Sequence, residues 1–274
     1  LAGKGISETM MREPVLGATR KHSRPRRKPV AGLVLACLAL LLSSAPAEEG
    51  SQTVSLSSAE KINLQSDSFY DGYRVRYGIA PGTDLKALAD RTAVLGMSMT
   101  SFKEETTGKP MIRGYAEVHA VYDVPLCDVD ASMWDFIGQK QIFPRLLEVR
   151  VEKESADYAR IFQRVGVSIL GLSVGYRMRI EVSRDHFPNG AVGHRSRLIE
   201  CIDGNMFQSY SSTYMEEVTI DGKKMTYIRV FSSPGILNPF PGTDYIVKQL
   251  TPGELRDSIA ITVKDARRRA SGTP

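Results

Sequence analysis

The sequence predicts an α+β fold, a curved antiparallel sheet of about seven strands wrapped around one long C-terminal helix. Three observations carry that prediction. Between residues 112 and 232 apolar and polar residues alternate with period two in run after run, as half-buried strands require. Tight turn signals such as Asp221-Gly222 separate the runs and make neighbouring strands antiparallel. Behind the last run, Leu255, Ile259, Thr262, Val263 and Ala266 recur at the three-and-four spacing of a helix with one buried face. A wide antiparallel sheet needs a cover for its apolar side, so strands and helix call for each other.

In chain order, residues 1–47 read as a secretory signal. Lys21, Arg24, Arg26, Arg27 and Lys28 form a basic head, 30–42 an apolar core, and Ala45-Pro46-Ala47 the small residues of a cleavage site. The apolar run is short for a membrane span. Alternatives are an uncleaved anchor, a twin-arginine signal at Arg26-Arg27, or lipidation at Cys37. The expected location is periplasmic or secreted. Residues 48–58 are small and polar, a flexible linker, and 59–274 form the folded domain. The net charge of +5 belongs to the leader, which holds eight basic residues against Glu8 and Glu13; without it the chain carries −1. No electrostatic footprint for nucleic acid remains.

Residues 59–110 give mixed signals and are expected to form an α+β lead-in, with 85–97 either helix or loop plus strand. Strands are expected over 112–124, 147–151, 159–165, 174–182, 192–202, 206–220 and 224–232. Asp128 and Asp130 cap a short helix over 131–137 that stops at Gly138. Thr251 is an N-cap for the last helix, with Pro252 at its first position and Glu254 as a capping-box carboxylate; 243–250 would be a separate first turn or a kinked lead-in. Cys127 and Cys201 read more simply as two small buried residues than as a bridge. His119, His186 and His194 lack metal-ligand spacing, and neither a metal nor another cofactor is expected.

IRGYAEVHAVYDVP with DVDASMWDF, GYRMRIEVSRD with HRSRLIE, and TYIRVFSSPGILNPFPGTDYIVKQL before the last helix together resemble the helix-grip superfamily of START-related lipid-transfer domains, polyketide cyclase-like proteins and plant allergen-like binders. The resemblance covers about residues 112–270. It implies a cavity between sheet and helix that holds a lipid or other apolar molecule, with some membrane-surface contact; the chain itself is expected to be a monomer. Alternate inward positions then supply the wall: Val174, Tyr176, Met178, Tyr210, Tyr214, Ile259 and Val263, unless these fill a solid core. If Leu198 and Ile202 face inward, His194, Ser196 and Glu200 share their face and offer a polar end; if Ile199 and Cys201 face inward, His194 is solvated. Arg160, Arg164, Arg177 and Arg179 read as an outer face. Ile169, Leu170 and Leu172, in an apolar hairpin loop, are the expected lid, and 233–242 a second gate. Arg267, Arg268 and Arg269 suit the helix C-terminus or an anionic lipid. Two other functions fit: a cyclase or dehydratase-like enzyme using His194 and Glu200 as acid and base, or a ligand-free interaction module with a collapsed cavity.

Overall fold

A computed structural model describes residues 76–105, 107–169, 172–238 and 241–272. The expected signal (1–47) and linker (48–58) lie outside the described residues, as does Leu170. Eight strands are present: β1 (Arg91–Lys103), β2 (Pro110–Tyr122), β3 (Leu146–Glu154), β4 (Tyr158–Ile169), β5 (Leu172–His186), β6 (Val192–Cys201), β7 (Met206–Ile220) and β8 (Lys223–Leu237). They form one sheet in the order β1-β2-β8-β7-β6-β5-β4-β3, every pair antiparallel. Helices α1 (Leu126–Trp134) and α2 (Phe136–Ile142) carry the chain from β2 to the far edge at β3, and α3 (Thr243–Ala270) closes it. This is a helix-grip arrangement. The extra strand is β1, which the mixed pattern of the lead-in had left open.

Directly paired residues share a face of the sheet, so register assigns every side chain. Val118, Val230, Thr213, His194 and Arg184 are successive partners across five strands, and this row faces the helices. His119, Arg229, Tyr214, Gly193 and Asp185 form the adjacent row and face away. The main core lies on the inner side, where Val118, Ile161, Val165, Ile180 and Val230 meet Val129 of α1, Phe136 of α2 and Leu255, Ile259, Val263 and Ala266 of α3. Turn chemistry sets the hairpins. Asp221 and Gly222 both take positive φ, 50° and 79°, as a two-residue turn matching the strand twist requires.

Three helix boundaries differ from expectation. The first helix begins at Leu126, with Pro125 fixing its entry, and Asp135 breaks it in two; the Asp135 carboxylate accepts from Gly138 N and starts α2 instead. The terminal helix is continuous through Pro252 and begins at Thr243, after an N-cap Gly242 in left-handed conformation with φ 88°. Pro252 removes one helical hydrogen bond. The first two turns stay in line because buried Val247 and Thr251 continue the packed stripe of Leu255 and Ile259. Cys127 is exposed, Cys201 half-buried, and both are free thiols.

Candidate functional site

Between sheet and α3 the structure brings together Tyr176, Met178, Ile259 and Val263 of the expected wall, with Leu198 packed against that cluster. Tyr176 is buried, and desolvation pushes its hydroxyl well above the ordinary tyrosine range. Three more buried methionines join Met178: Met133, Met206 and Met215. Val174 pairs with Val167 along the β4–β5 hairpin; its side chain, like those of Ile169 and Leu172, lies outside the described residues. Ile169 and Leu172 are cross-strand partners, so most of the expected apolar loop belongs to β4 and β5. The second gate also shortens, since 233–237 belong to β8.

Tyr210 and Tyr214 are not wall residues. Ser211, Thr213 and Met215 pair with inward positions of β6 and β8, so period two turns both tyrosines to the outer face. The pattern of β7 misled because both of its faces are buried there, which erases the polar-out signal.

His194 and Ser196 do point inward. With Met133, Phe136, Gln139, Val182, Arg195, Ser211 and Thr213 they line a space of about 30 Å³ under α1 and α2, room for about one water. His194 Nε2 donates to Asp130 Oδ1 at 2.7 Å, Arg184 stands 3.4 Å from the same oxygen, and Trp134 packs edge-on against the imidazole. Burial lowers the His194 pKa, opposed by the Asp130 carboxylate. Glu200 does not join them. One extra residue in β6, between the pairs Ile180–Leu198 and Arg179–Glu200, reverses the parity. Glu200 therefore lies outside, paired with Arg179, and exposed Ile199 is part of the bulge. Ile202 is likewise exposed, in the turn after β6, and not inward as supposed.

α3 buries two edges. Leu255, Ile259, Val263 and Ala266 form the apolar one; Glu254, Ser258, Thr262 and Asp265 form a polar one beside it. Asp265 accepts from Ser132 of α1 at 2.8 Å and pairs with Arg268 and Arg269. Those arginines are thereby engaged within the fold, as is Arg267 with Asp90. Glu254 Oε1 accepts from Arg145 at 2.9 Å, so its expected capping role is replaced by an ion pair. Burial raises the Glu254 carboxyl, and Arg145 only partly opposes it. Neither Asp130 nor Arg145 was a sequence candidate. Each lies far from its partner in the chain, and only the crossover of α1 and α2 unites them.

The outer face holds a second buried cluster. Residues 76–90 lie across β2, β8 and β7. Arg76 N donates to Ser212 Oγ, Arg229 Nη1 donates to Gly78 O, and Leu88 packs with Val121, Tyr214 and Tyr227. The Tyr77 ring sits against Gly193, where an added Cβ would come within 2.6 Å of it, and its hydroxyl donates to Asp185 at 2.6 Å. Beneath this segment Glu117 Oε1 accepts from Arg229 Nε at 2.7 Å and His119 Nε2 at 3.0 Å, and Tyr227 OH lies 3.1 Å from His119 Nδ1. Burial pushes the Glu117 carboxyl up, but His119 and Arg229 outweigh it and hold it below the usual range. Farther out, Arg164, Gly175, Arg177, Asp203 and Asn205 line an open surface depression of about 440 Å³. Among the described residues no helix is long and apolar enough to cross a membrane.

No family model and no curated protein matches the chain. Solved structures with similar arrangements include human STARD10 (10% identity over 81% of this chain and 85% of that one, TM-score 0.45). A STAR-related lipid transfer protein fragment from Xanthomonas axonopodis matches at 11% identity over 64% and 98%, TM-score 0.43. The Zhui aromatase/cyclase from Streptomyces sp. R1128 matches at 16% over 59% and 99%, TM-score 0.42. The fold assignment rests on strand order and register in this chain.

Proposed function

We propose that the chain is an exported carrier that binds a lipid or other apolar molecule between the sheet and α3. One observation carries this reading: four methionines sit in the buried layer between sheet and helices, and α3 runs through Pro252 with one backbone hydrogen bond missing. Met133, Met178, Met206 and Met215 are unbranched and deformable, so they repack around a guest at low cost. The missing hydrogen bond at Pro252 lets 243–250 swing while 254–270 stay seated on β1, β2 and α1. An entering chain displaces methionine side chains, and its burial contributes roughly 25 cal/mol per Å² of apolar area. Contact with a membrane surface, through exposed Tyr245 in the first turn of α3, belongs to the same proposal. Export rests on the basic head, apolar core and Ala45-Pro46-Ala47 of the leader.

Native mass spectrometry of protein expressed with residues 1–47 intact should show a co-purified lipid and a chain starting near Glu48. A ligand-free protein that takes up no lipid from vesicles would sink the carrier reading. The His194–Asp130 pair favours one alternative, acid–base catalysis on a bound polyketide-like substrate, with Asp130 in the place once given to Glu200. In that case His194→Ala abolishes turnover while binding survives.

A further inference from the structure

We propose that the inner layer selects an apolar molecule bearing a neutral hydrogen-bond donor, a hydroxyl or amide N–H, and seats it at Glu254, Ser258 and Gln163; this rests on the carrier reading above. Three atoms carry the inference. Glu254 Oε2, Ser258 Oγ and Gln163 Oε1 are buried with no hydrogen-bond partner among the described residues. Their residues are 2%, 0% and 1% exposed. Buried polar atoms are nearly always satisfied, so three orphans in one layer point to a missing partner.

Glu254 and Ser258 share one place on α3, and Arg145 links it to the strand that carries Gln163. Glu254 and Ser258 stand one turn apart on the polar edge of α3, the spacing at which helix side chains are neighbours. Arg145 ties that turn to β4. Its guanidinium holds Glu254 Oε1, and its carbonyl accepts from Gly166 N at 3.0 Å. Gln163 lies on the inner face of the same strand, paired with Met178 and Val149.

The chemistry of the orphans names the ligand group. A carboxylate oxygen and an amide carbonyl oxygen only accept, and the Ser258 hydroxyl can do either. The absent partner is therefore a donor. Charge decides which donor. Arg145 already neutralises Glu254, so an ammonium would meet an unfavourable guanidinium, and a carboxylate would face Glu254 Oε2. A hydroxyl or amide N–H suits the site without adding charge.

Isothermal titration calorimetry on the full chain, with decan-1-ol, decyl methyl ether and decanoate as probes, tests this. The alcohol should bind about tenfold tighter than the ether, the worth of one satisfied buried hydrogen bond, and decanoate should bind weakest. Ser258→Ala, Gln163→Leu and their combination should erase the preference for the alcohol over the ether. Without ligand, each should melt no lower than the parent, because it buries fewer unpartnered acceptors. Equal binding of alcohol and ether, or tighter binding of decanoate, overturns the donor assignment and leaves the carrier reading standing. Binding of none of the three sinks both.

Discussion

The outer face of the sheet is built in two opposite ways. Across β2, β8 and β7 it buries its charges: Glu117, His119 and Arg229 are almost wholly covered by residues 76–90. Across β3 to β6 it displays them. There Arg179 pairs with Glu152 and Glu200, Arg177 with Asp203, and Arg160 and Arg197 share Glu181, all with arginines substantially in water. Both halves set acidic and basic residues side by side on outward positions. Solvent makes them different. A covered pair cannot trade its partner for water, so losing one member strands a charge, whereas exposed pairs lose little. The covering segment thus turns half of an ordinary polar face into a second core.

The comparison breaks most severely at Arg229. Arg229→Leu leaves the Glu117 carboxylate buried without its counter-ion and should cost about 3–5 kcal/mol, read as a lowered urea midpoint. Next comes Gly193→Ala. Its new Cβ meets the Tyr77 ring, and overpacking of this kind costs about 1–3 kcal/mol. Hydrogen exchange should then rise over 76–90 and stay unchanged over β4 and β5; unchanged protection of 76–90 would contradict the docking of Tyr77.

Acid sharpens the contrast by a smaller amount. Glu117 is held below its ordinary range, so its contribution is present above the unfolded carboxylate pKa and is lost as pH falls toward the folded one. Glu254 has the opposite sign. Its folded pKa is raised, so the folded state holds the extra proton between the two values, and stability falls as pH rises through that window. Glu117→Gln should flatten the acid limb of a stability–pH curve, and Glu254→Gln the limb above the ordinary carboxylate range. Smallest is Arg179→Ala on the open half, which should leave the urea midpoint within error and respond little to salt. A large loss there would mean that the exposed ladder also carries the fold.

The sequence by itself determined seven of the eight strands, the antiparallel pairing of hairpin neighbours and the covering helix. Period two and turn residues are local signals, and β2, β5 and β6 lie within a few residues of where they were expected. It offered an inward His194 and Ser196 as one of two alternatives for β6, and the pairing of His194 with Thr213 and Arg184 selects it. Only the tertiary structure decided the rest. One extra residue near Ile199 moved Glu200 to the other face, a change that composition does not record. Burial on both faces of β7 hid which side Tyr210 and Tyr214 take. The partners that define the inner polar sites, Asp130 for His194 and Arg145 for Glu254, come from the crossing between β2 and β3. Contacts between residues distant in the chain leave no periodicity of their own, because each segment's pattern reports only that it is buried and not by what.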